Sequence, residues 1–133
     1  MNSTLKALPR AVLAALPLLF AATTADAQLI GALQGTSHIS PLNNQNVSGI
    51  LGIVTARDNN GFWIQDAGDG NALTSDAIYV FRGSTGTKAS IGEAVSVAGR
   101  VVEFRAGPNG GDPTNLTLTE INATSTFSGS FSV

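Results

Sequence analysis

The sequence predicts a small all-β domain, and three observations point to it. Runs of β-branched and aromatic residues alternate with polar residues at a period of two, as in strands with one buried face. Clusters of Gly, Asn and Asp, which tolerate turn conformations, separate these runs. The chain has no cysteine, so its stability has to come from a hydrophobic core, not from disulfides.

The amino terminus, residues 1–27, has the features of a secretory signal peptide. Lys6 and Arg10 form a positive region, residues 11–22 carry no charge, and a small-x-small pattern ends at Ala27. The uncharged stretch is shorter than the ~20 residues of a transmembrane helix, which makes a retained anchor the less favoured alternative. We expect cleavage after Ala27 and a secreted or periplasmic protein with no membrane association afterwards.

Cleavage changes the charge of the protein. Loss of Lys6, Arg10 and Asp26 takes the net charge from −2 to −3. Domains that grip a phosphate backbone unaided are usually basic. The composition therefore argues against strong independent binding of nucleic acid.

Five strands can be placed along the mature chain. They are Val47–Arg57, Phe62–Gln65, Ala77–Arg82, Glu93–Arg105 and Thr114–Ile121. These strands define a domain over residues 47–121, after an irregular lead-in (28–46) that has room for a short strand near Leu29–Leu33. Residues 83–92 form a connector with room for one helical turn. The Ser/Thr-rich residues 122–133 are expected to form a last edge strand or a linker.

Glycines inside the two long strands favour a closed sheet. Gly52 and Gly99 each lie between aliphatic residues that share their face, and a glycine there permits a sharp bend. On the second long strand the residues predicted to share one face are Val95, Val97, Gly99 and Val101. The order long, short, short, connector, long, medium is that of a five-stranded OB-fold-like β-barrel. An open β-sandwich is the alternative.

Seven segments of the mature chain follow one another in a familiar order. They are Gly35–Leu42, Gly52–Thr55, Gly61–Asp66, Thr74–Asp76, Ile78–Phe81, Gly92–Val101 and Leu116–Ile121. The ordered set resembles the amino-terminal OB-fold module of secreted bacterial nucleases over about residues 33–122. In that family the module precedes a metal-dependent catalytic domain of the endonuclease/exonuclease/phosphatase type.

The resemblance implies a non-catalytic accessory module of an extracellular nuclease. The family's catalytic domain would follow the stretch corresponding to Glu120–Ile121, and this sequence contains none, so we expect no catalytic residue in the chain. A free-standing relative and a truncated reading of a longer nuclease both stay open. The expected partners are single-stranded DNA or RNA, bound weakly, and a nuclease catalytic domain.

Aromatic residues on the second and third strands form the candidate binding site. If the aliphatic residues of these strands are core, alternation places Trp63, Tyr79 and Phe81 on the outer face of the sheet, with Gln65 beside them. OB-folds receive oligonucleotides or sugars on this face, and aromatic rings are stacking platforms for bases. The arginines expected at its margins are Arg57, Arg82 and Arg105. The alternative is that the rings cover a core edge or dock against a neighbouring domain.

The remaining polar residues give weaker indications of a catalytic or metal-binding site. His38 is the only histidine, so it lacks the partners of a metal site or a catalytic triad, and we expect it to bond locally near Pro41. Asp66, Asp69 and Asp76 could ligate Ca²⁺ through carboxylate oxygens, although their spacing is not that of an EF-hand. A solvated turn is the alternative for these three, and no other cofactor is predicted.

Three functions stay open at this point. The resemblance favours a nucleic-acid-binding accessory module. A structural or interaction domain without a ligand and a module for surface polysaccharides are the alternatives. The salt dependence of affinity distinguishes nucleic-acid binding from polysaccharide binding, because phosphate binding weakens steeply as salt rises.

Overall fold

The computed structural model describes residues 28–133, so the predicted signal peptide and its cleavage site lie outside the described residues. The elements in chain order are α1 (Ile30–Gln34), β1 (Asn46–Arg57), β2 (Gly61–Gln65), β3 (Ala77–Phe81), β4 (Ala94–Arg105), a 3₁₀ turn (Pro108–Gly110), β5 (Thr117–Asn122), a second 3₁₀ turn (Ser125–Phe127) and β6 (Ser130–Ser132). Within these residues no helix has the length and apolar character needed to cross a membrane.

Strands β1 to β5 close into a ring. Their order is β1-β2-β3-β5-β4, and β4 pairs again with β1. The β3–β5 pair is parallel, whereas the other pairs in the ring are antiparallel. β6 pairs with β4 through Val97 and Phe131, so the carboxyl-terminal tail ends in an edge strand, one of its two predicted outcomes.

β1 contributes to two strand pairs and is irregular along its length. Its ladder shifts between Val47 and Ile50, where Gly49 has a φ of 68°, and again between Val54 and Ala56. Such bulges bend a strand and increase its twist. These shifts lie on either side of Gly52, one of the two glycines predicted to mark bends. They let the first half of β1 pair with β4 and its end pair with β2.

Both predicted glycines lie where another strand passes close to the backbone. A Cβ added at Gly99 would lie 2.6 Å from the carbonyl oxygen of Asn122, and one added at Gly52 would lie 3.0 Å from Cβ of Ile64. Contacts below 3.0 Å with backbone require the backbone to shift. Close packing of β4 against the neighbouring strand β5 therefore explains glycine at position 99.

The core fills the inside of the ring, as alternation predicts. The inward residues of β2 and β3 are buried: Phe62, Ile64, Ile78 and Val80. Val95, Val97 and Val101 of β4 are buried too, and Gly99 lies on their face. The strand predictions are thus confirmed apart from their ends; β5, for example, begins at Thr117 instead of Thr114.

The predicted short strand near Leu29–Leu33 is wrong, because residues 30–34 form helix α1. Ile30 and Leu33 are both fully buried, and a spacing of three places them on one face of a helix. The amide of Ile30, at the start of the helix, donates to Oδ2 of Asp66 at 2.7 Å. The connector 83–92 forms turns without a helix.

Candidate ligand-binding cleft

The outer face of β2, β3, β5 and β4 is the floor of a cleft of about 640 Å³. Asp58 and Asn60 in the β1–β2 turn line one part of it. Gly107, Gly110 and Gly111 in the β4–β5 loop (residues 106–116) line another. The side chains on its floor include Trp63, Tyr79, Phe81, Phe104, Leu118 and Glu120.

The three predicted aromatic residues all lie in this cleft, opposite the buried aliphatic face of their strands. Trp63 and Tyr79 are partners across β2 and β3, and their ring centroids are 4.5 Å apart at an angle of 51°. Tyr79 is only 6% exposed, whereas Trp63 and Phe81 are half-buried. Trp63 and Phe81 therefore present accessible rings, and Tyr79 supports the Trp63 ring.

A hydrogen bond from the β1–β2 turn holds Tyr79 in place. Its hydroxyl donates to Oδ1 of Asp58 at 2.8 Å, and the same oxygen accepts the amides of Asn60 and Gly61 at 2.8 Å. Burial raises the pKa of the Asp58 carboxyl, but the hydrogen bonds from Tyr79 and the two amides outweigh this effect and leave that pKa below its ordinary value. Burial, followed by the bond to Asp58, raises the pKa of Tyr79, so its hydroxyl is a neutral donor.

Glu120 is a buried carboxylate in the middle of the floor. It is 4% exposed and is the cross-strand partner of Tyr79 on β3 and of Val102 on β4. Burial raises the pKa of Glu120 to about 7, and among the described residues no hydrogen bond offsets that rise. In the sequence, Glu120 stands out only as part of a segment that resembles the nuclease module. Period two along the strand would also have placed Glu120 on one face with Leu118 and Asn122.

Of the three predicted arginines, Arg105 lines the cleft. Its guanidinium donates to the carbonyl oxygens of Pro113 and Asn115 and so holds the β4–β5 loop in place. Arg82 instead donates to the carbonyl oxygen of Ala123 and lies over the ring of Phe131, at 5.2 Å.

Two further predicted residues, Arg57 and Gln65, are exposed and lie outside the cleft lining. Gln65 lines a second, apolar cavity with Leu51 and Ile53. The predicted margin of positive charge is therefore reduced to Arg105. The charged residues that line the cleft, within the described part of the chain, are Asp58, Glu103, Glu120 and Arg105. The Glu103 carboxylate bonds to Thr117 and Thr119 on the inward side of β5, so the carboxylates that face the cleft are those of Asp58 and Glu120. Two carboxylates against one guanidinium make the cleft acidic.

The three aspartates proposed for Ca²⁺ interact with the loop around them. Asp66 accepts the amide of Ile30 at 2.7 Å, and Asp69 accepts the hydroxyl of Thr74 at 2.9 Å. Oδ1 of Asp76 is buried without a hydrogen bond. Across residues 28–133 no three His, Cys, Asp or Glu side chains are grouped to hold a metal ion. Calcium binding and its alternative, a solvated turn, both stay predictions: the carboxylates of Asp66 and Asp69 bond within the protein, whereas Oδ1 of Asp76 is buried without a donor.

His38 contacts a distant strand, so the expected local bond near Pro41 is wrong. Its Nε2 lies 3.0 Å from Oγ1 of Thr117 on β5. The Thr117 hydroxyl donates to Glu103 at 2.8 Å, and Glu103 also accepts the amide of Ser40 at 2.8 Å. In a catalytic triad the histidine lies between hydroxyl and carboxylate. Here the hydroxyl lies between them, and the network ties the lead-in to the sheet.

No family model, curated protein or solved structure matches this chain. The likeness to the amino-terminal module of secreted nucleases therefore stays a prediction.

Proposed function

We propose that the ring of five strands is an OB-fold barrel and that the domain is a non-catalytic module that binds single-stranded nucleic acid in the cleft. One observation carries the proposal. The cleft has β2 and β3 in its floor, and the β1–β2 turn and the β4–β5 loop among its lining segments, which are the segments that OB-folds use for oligonucleotides and oligosaccharides. The resemblance to the secreted nuclease module agrees with it.

Stacking on aromatic rings supplies the binding energy in this proposal. Trp63 and Phe81 are half-buried in the cleft, and base–aromatic stacking contributes about 1–3 kcal/mol per base. The contact between Trp63 and Tyr79, with the Tyr79 hydroxyl bonded to Asp58, orders the platform before a ligand arrives. Binding then loses less side-chain entropy than it would on a flexible surface.

Phosphate contacts contribute little in the proposed complex. Within the described residues, Arg105 is the cation that lines the cleft, beside the carboxylates of Asp58 and Glu120. Affinity for a single strand falls with salt with a slope of about −0.7 per neutralised phosphate on a log–log plot. We therefore expect micromolar to millimolar binding with a slope near that of a single phosphate, much shallower than for a basic domain.

Binding of a surface polysaccharide is the second candidate, and the acidic lining favours it. Carboxylates accept hydrogen bonds from sugar hydroxyls, and OB-folds bind oligosaccharides on the same face. A neutral sugar would not be repelled by Asp58 and Glu120. Its affinity would be insensitive to salt.

Fluorescence anisotropy tests the two candidates on the chain without its signal. Labelled single-stranded 12-mers and labelled neutral hexasaccharides are titrated at several salt concentrations. We expect the oligonucleotide to bind, and Trp63→Ala to weaken it about ten-fold, the value of one stacked base. The matched control is Leu116→Ala, which removes an apolar side chain that is 79% exposed and lies outside the cleft lining.

Two results would contradict the proposal. One is oligonucleotide binding that is the same for wild type and Trp63→Ala. The other is binding of the sugar alone, without salt dependence, which would select the polysaccharide function. Binding of neither class would contradict both candidates.

A further inference from the structure

Glu120 belongs to a row of residues that crosses the floor of the cleft. Trp63 pairs with Tyr79, Tyr79 pairs with Glu120, and Glu120 pairs with Val102. Neighbouring strands are about 4.8 Å apart, so the Cα atoms of Trp63 and Glu120 are separated by about 10 Å. A base that stacks on the Trp63 ring over Tyr79 would direct one edge toward the Glu120 carboxylate.

Among the described side chains and backbone groups, none donates a hydrogen bond to the Glu120 carboxylate. It is 4% exposed, and the pKa rise that burial causes is not offset by any hydrogen bond. Burial penalises the charged form of this carboxylate, and a penalty of this kind is large while no hydrogen bond offsets it. A donor on a ligand would relieve that cost.

The groups around Glu120 do not supply this donor. On β3, the Tyr79 hydroxyl is committed to Asp58. On β4, the direct neighbour is Val102, while Glu103 and Arg105 also line the cleft. Glu103 accepts its bonds from Ser40, Thr117 and Thr119, and Arg105 donates to loop carbonyl oxygens.

We propose that Glu120 makes the cleft selective for guanine, whose neighbouring N1–H and N2–H₂ groups donate together to the carboxylate while the base stacks on Trp63. This inference rests on the proposed function. An ionised carboxylate only accepts hydrogen bonds. The pairing edges of adenine and cytosine offer an amino group beside an acceptor nitrogen, and those of thymine and uracil offer one N–H between two carbonyls. Guanine alone presents two adjacent donors to both oxygens.

The selectivity should depend on pH in a defined direction. The carboxylate must be ionised to accept both donors, and burial holds its pKa at about 7 before ligand binds. Below that pH the ligand has to displace a proton from Glu120, so affinity for guanine should fall. Above it the site is ready. We expect a guanine preference of about five- to ten-fold at pH 8, the size of one bidentate base contact, and almost none at pH 5.5.

Four labelled heptamers test this proposal, each a run of thymidines with G, A, C or T at the centre. Anisotropy titrations at pH 8 should show tightest binding of the G heptamer. Glu120→Gln should abolish that preference and its pH dependence, because the amide replaces one acceptor oxygen with a donor. Leu116→Ala, outside the cleft, should retain both. If Glu120→Gln does not fold, Glu120→Asp and the wild-type pH profile still test the proposal.

The outcomes separate this inference from the proposed function. Equal binding of all four heptamers by wild type would overturn the role of Glu120 and leave stacking intact. Loss of binding to all four in Trp63→Ala supports the stacking function only. No binding of any heptamer would overturn both. If methylguanidinium displaces the heptamers and the wild type shows no preference among the four bases, Glu120 is a site for a partner's arginine and the guanine proposal is overturned.

Discussion

Each face of the sheet formed by β3, β5 and β4 carries a glutamate, and the two glutamates differ in the hydrogen bonds that they accept. Glu103, on the inward side of β4, accepts the amide of Ser40 and the hydroxyls of Thr117 and Thr119. Glu120, on the outward side of β5, is more deeply buried yet receives no comparable bond from the described residues. A carboxylate surrounded by donors stabilises a fold. One without donors destabilises it, and this contrast is the reason why we propose a role in ligand binding for Glu120 and a structural role for Glu103.

The largest expected effect compares the aromatic neighbours Phe62 and Trp63, which lie on the two faces of β2. Phe62 is fully buried and packs edge-on against Phe131 at 5.2 Å, so Phe62→Ala should destabilise the domain by about 3–5 kcal/mol. Trp63 is half-buried, so Trp63→Ala should cost about 1 kcal/mol. Urea unfolding measures both. Equal losses would mean that Trp63 is part of the core and not of a binding face.

Removing Glu103 should have the next largest effect. Glu103→Ala deletes the acceptor of three hydrogen bonds and leaves the buried Ser40 amide without a partner, so we expect a loss of about 3 kcal/mol. Glu93→Ala is the control, because Glu93 accepts one bond, from the exposed Ser90, and should cost less than about 1 kcal/mol. A Glu103 variant as stable as the Glu93 variant would refute the structural role.

Glu120→Gln should stabilise the protein, and only at higher pH. Burial raises the folded-state pKa of Glu120 from 4.5 to about 7. The unfolded chain therefore binds fewer protons than the folded protein between these values, and wild-type stability falls as pH rises through that window. Ionised Glu120 costs about 2–3 kcal/mol by this linkage. Thermal unfolding at pH 4 and pH 8.5 should show a variant that matches wild type at pH 4 and exceeds it at pH 8.5. A constant difference would exclude the titration of Glu120.

The smallest expected effect is on catalysis. We expect the chain without its signal to leave DNA and RNA uncleaved in the presence of Mg²⁺, Mn²⁺ or Ca²⁺, because the cleft offers acceptors without an activated nucleophile. Gel assays of labelled strands measure this. Metal-dependent cleavage that disappears in Asp66→Asn/Asp69→Asn would instead make the aspartate loop a catalytic centre.

Local patterns in the sequence predicted much of the fold. Alternation around Phe62 and Val80 predicted which side chains face the core, since period two follows from strand geometry alone. The five residues of α1 were misread because an apolar run this short fits a strand or a helix equally well. The contact between His38 and Thr117 joins residues far apart in the chain, and no local pattern reports such a contact.

The cleft was predicted only in part, because some of its contacts join residues that are far apart in the chain. Trp63, Tyr79 and Phe81 were placed by alternation within their own strands. Glu120 became recognisable only when the parallel β3–β5 pair brought it beside Tyr79. Of the three predicted arginines, Arg105 lines the cleft, whereas Arg57 and Arg82 do not. For Arg82 the reason is its hydrogen bond to the carbonyl oxygen of Ala123, which alternation along one strand does not predict.

The double pairing of β1 also bears on how quickly the domain can fold. Ile53 pairs with Gln65, which is close along the chain, and also with Ala94 on β4. The ring closes only when β3 pairs with β5, which follows β4 in the sequence. Contacts between distant segments require loop entropy to be lost before they stabilise anything, and topologies rich in them fold in milliseconds to seconds. The hairpin of β1 and β2 joins segments that are close along the chain, whereas the floor of the cleft is complete only once β5 has paired with β3 and β4.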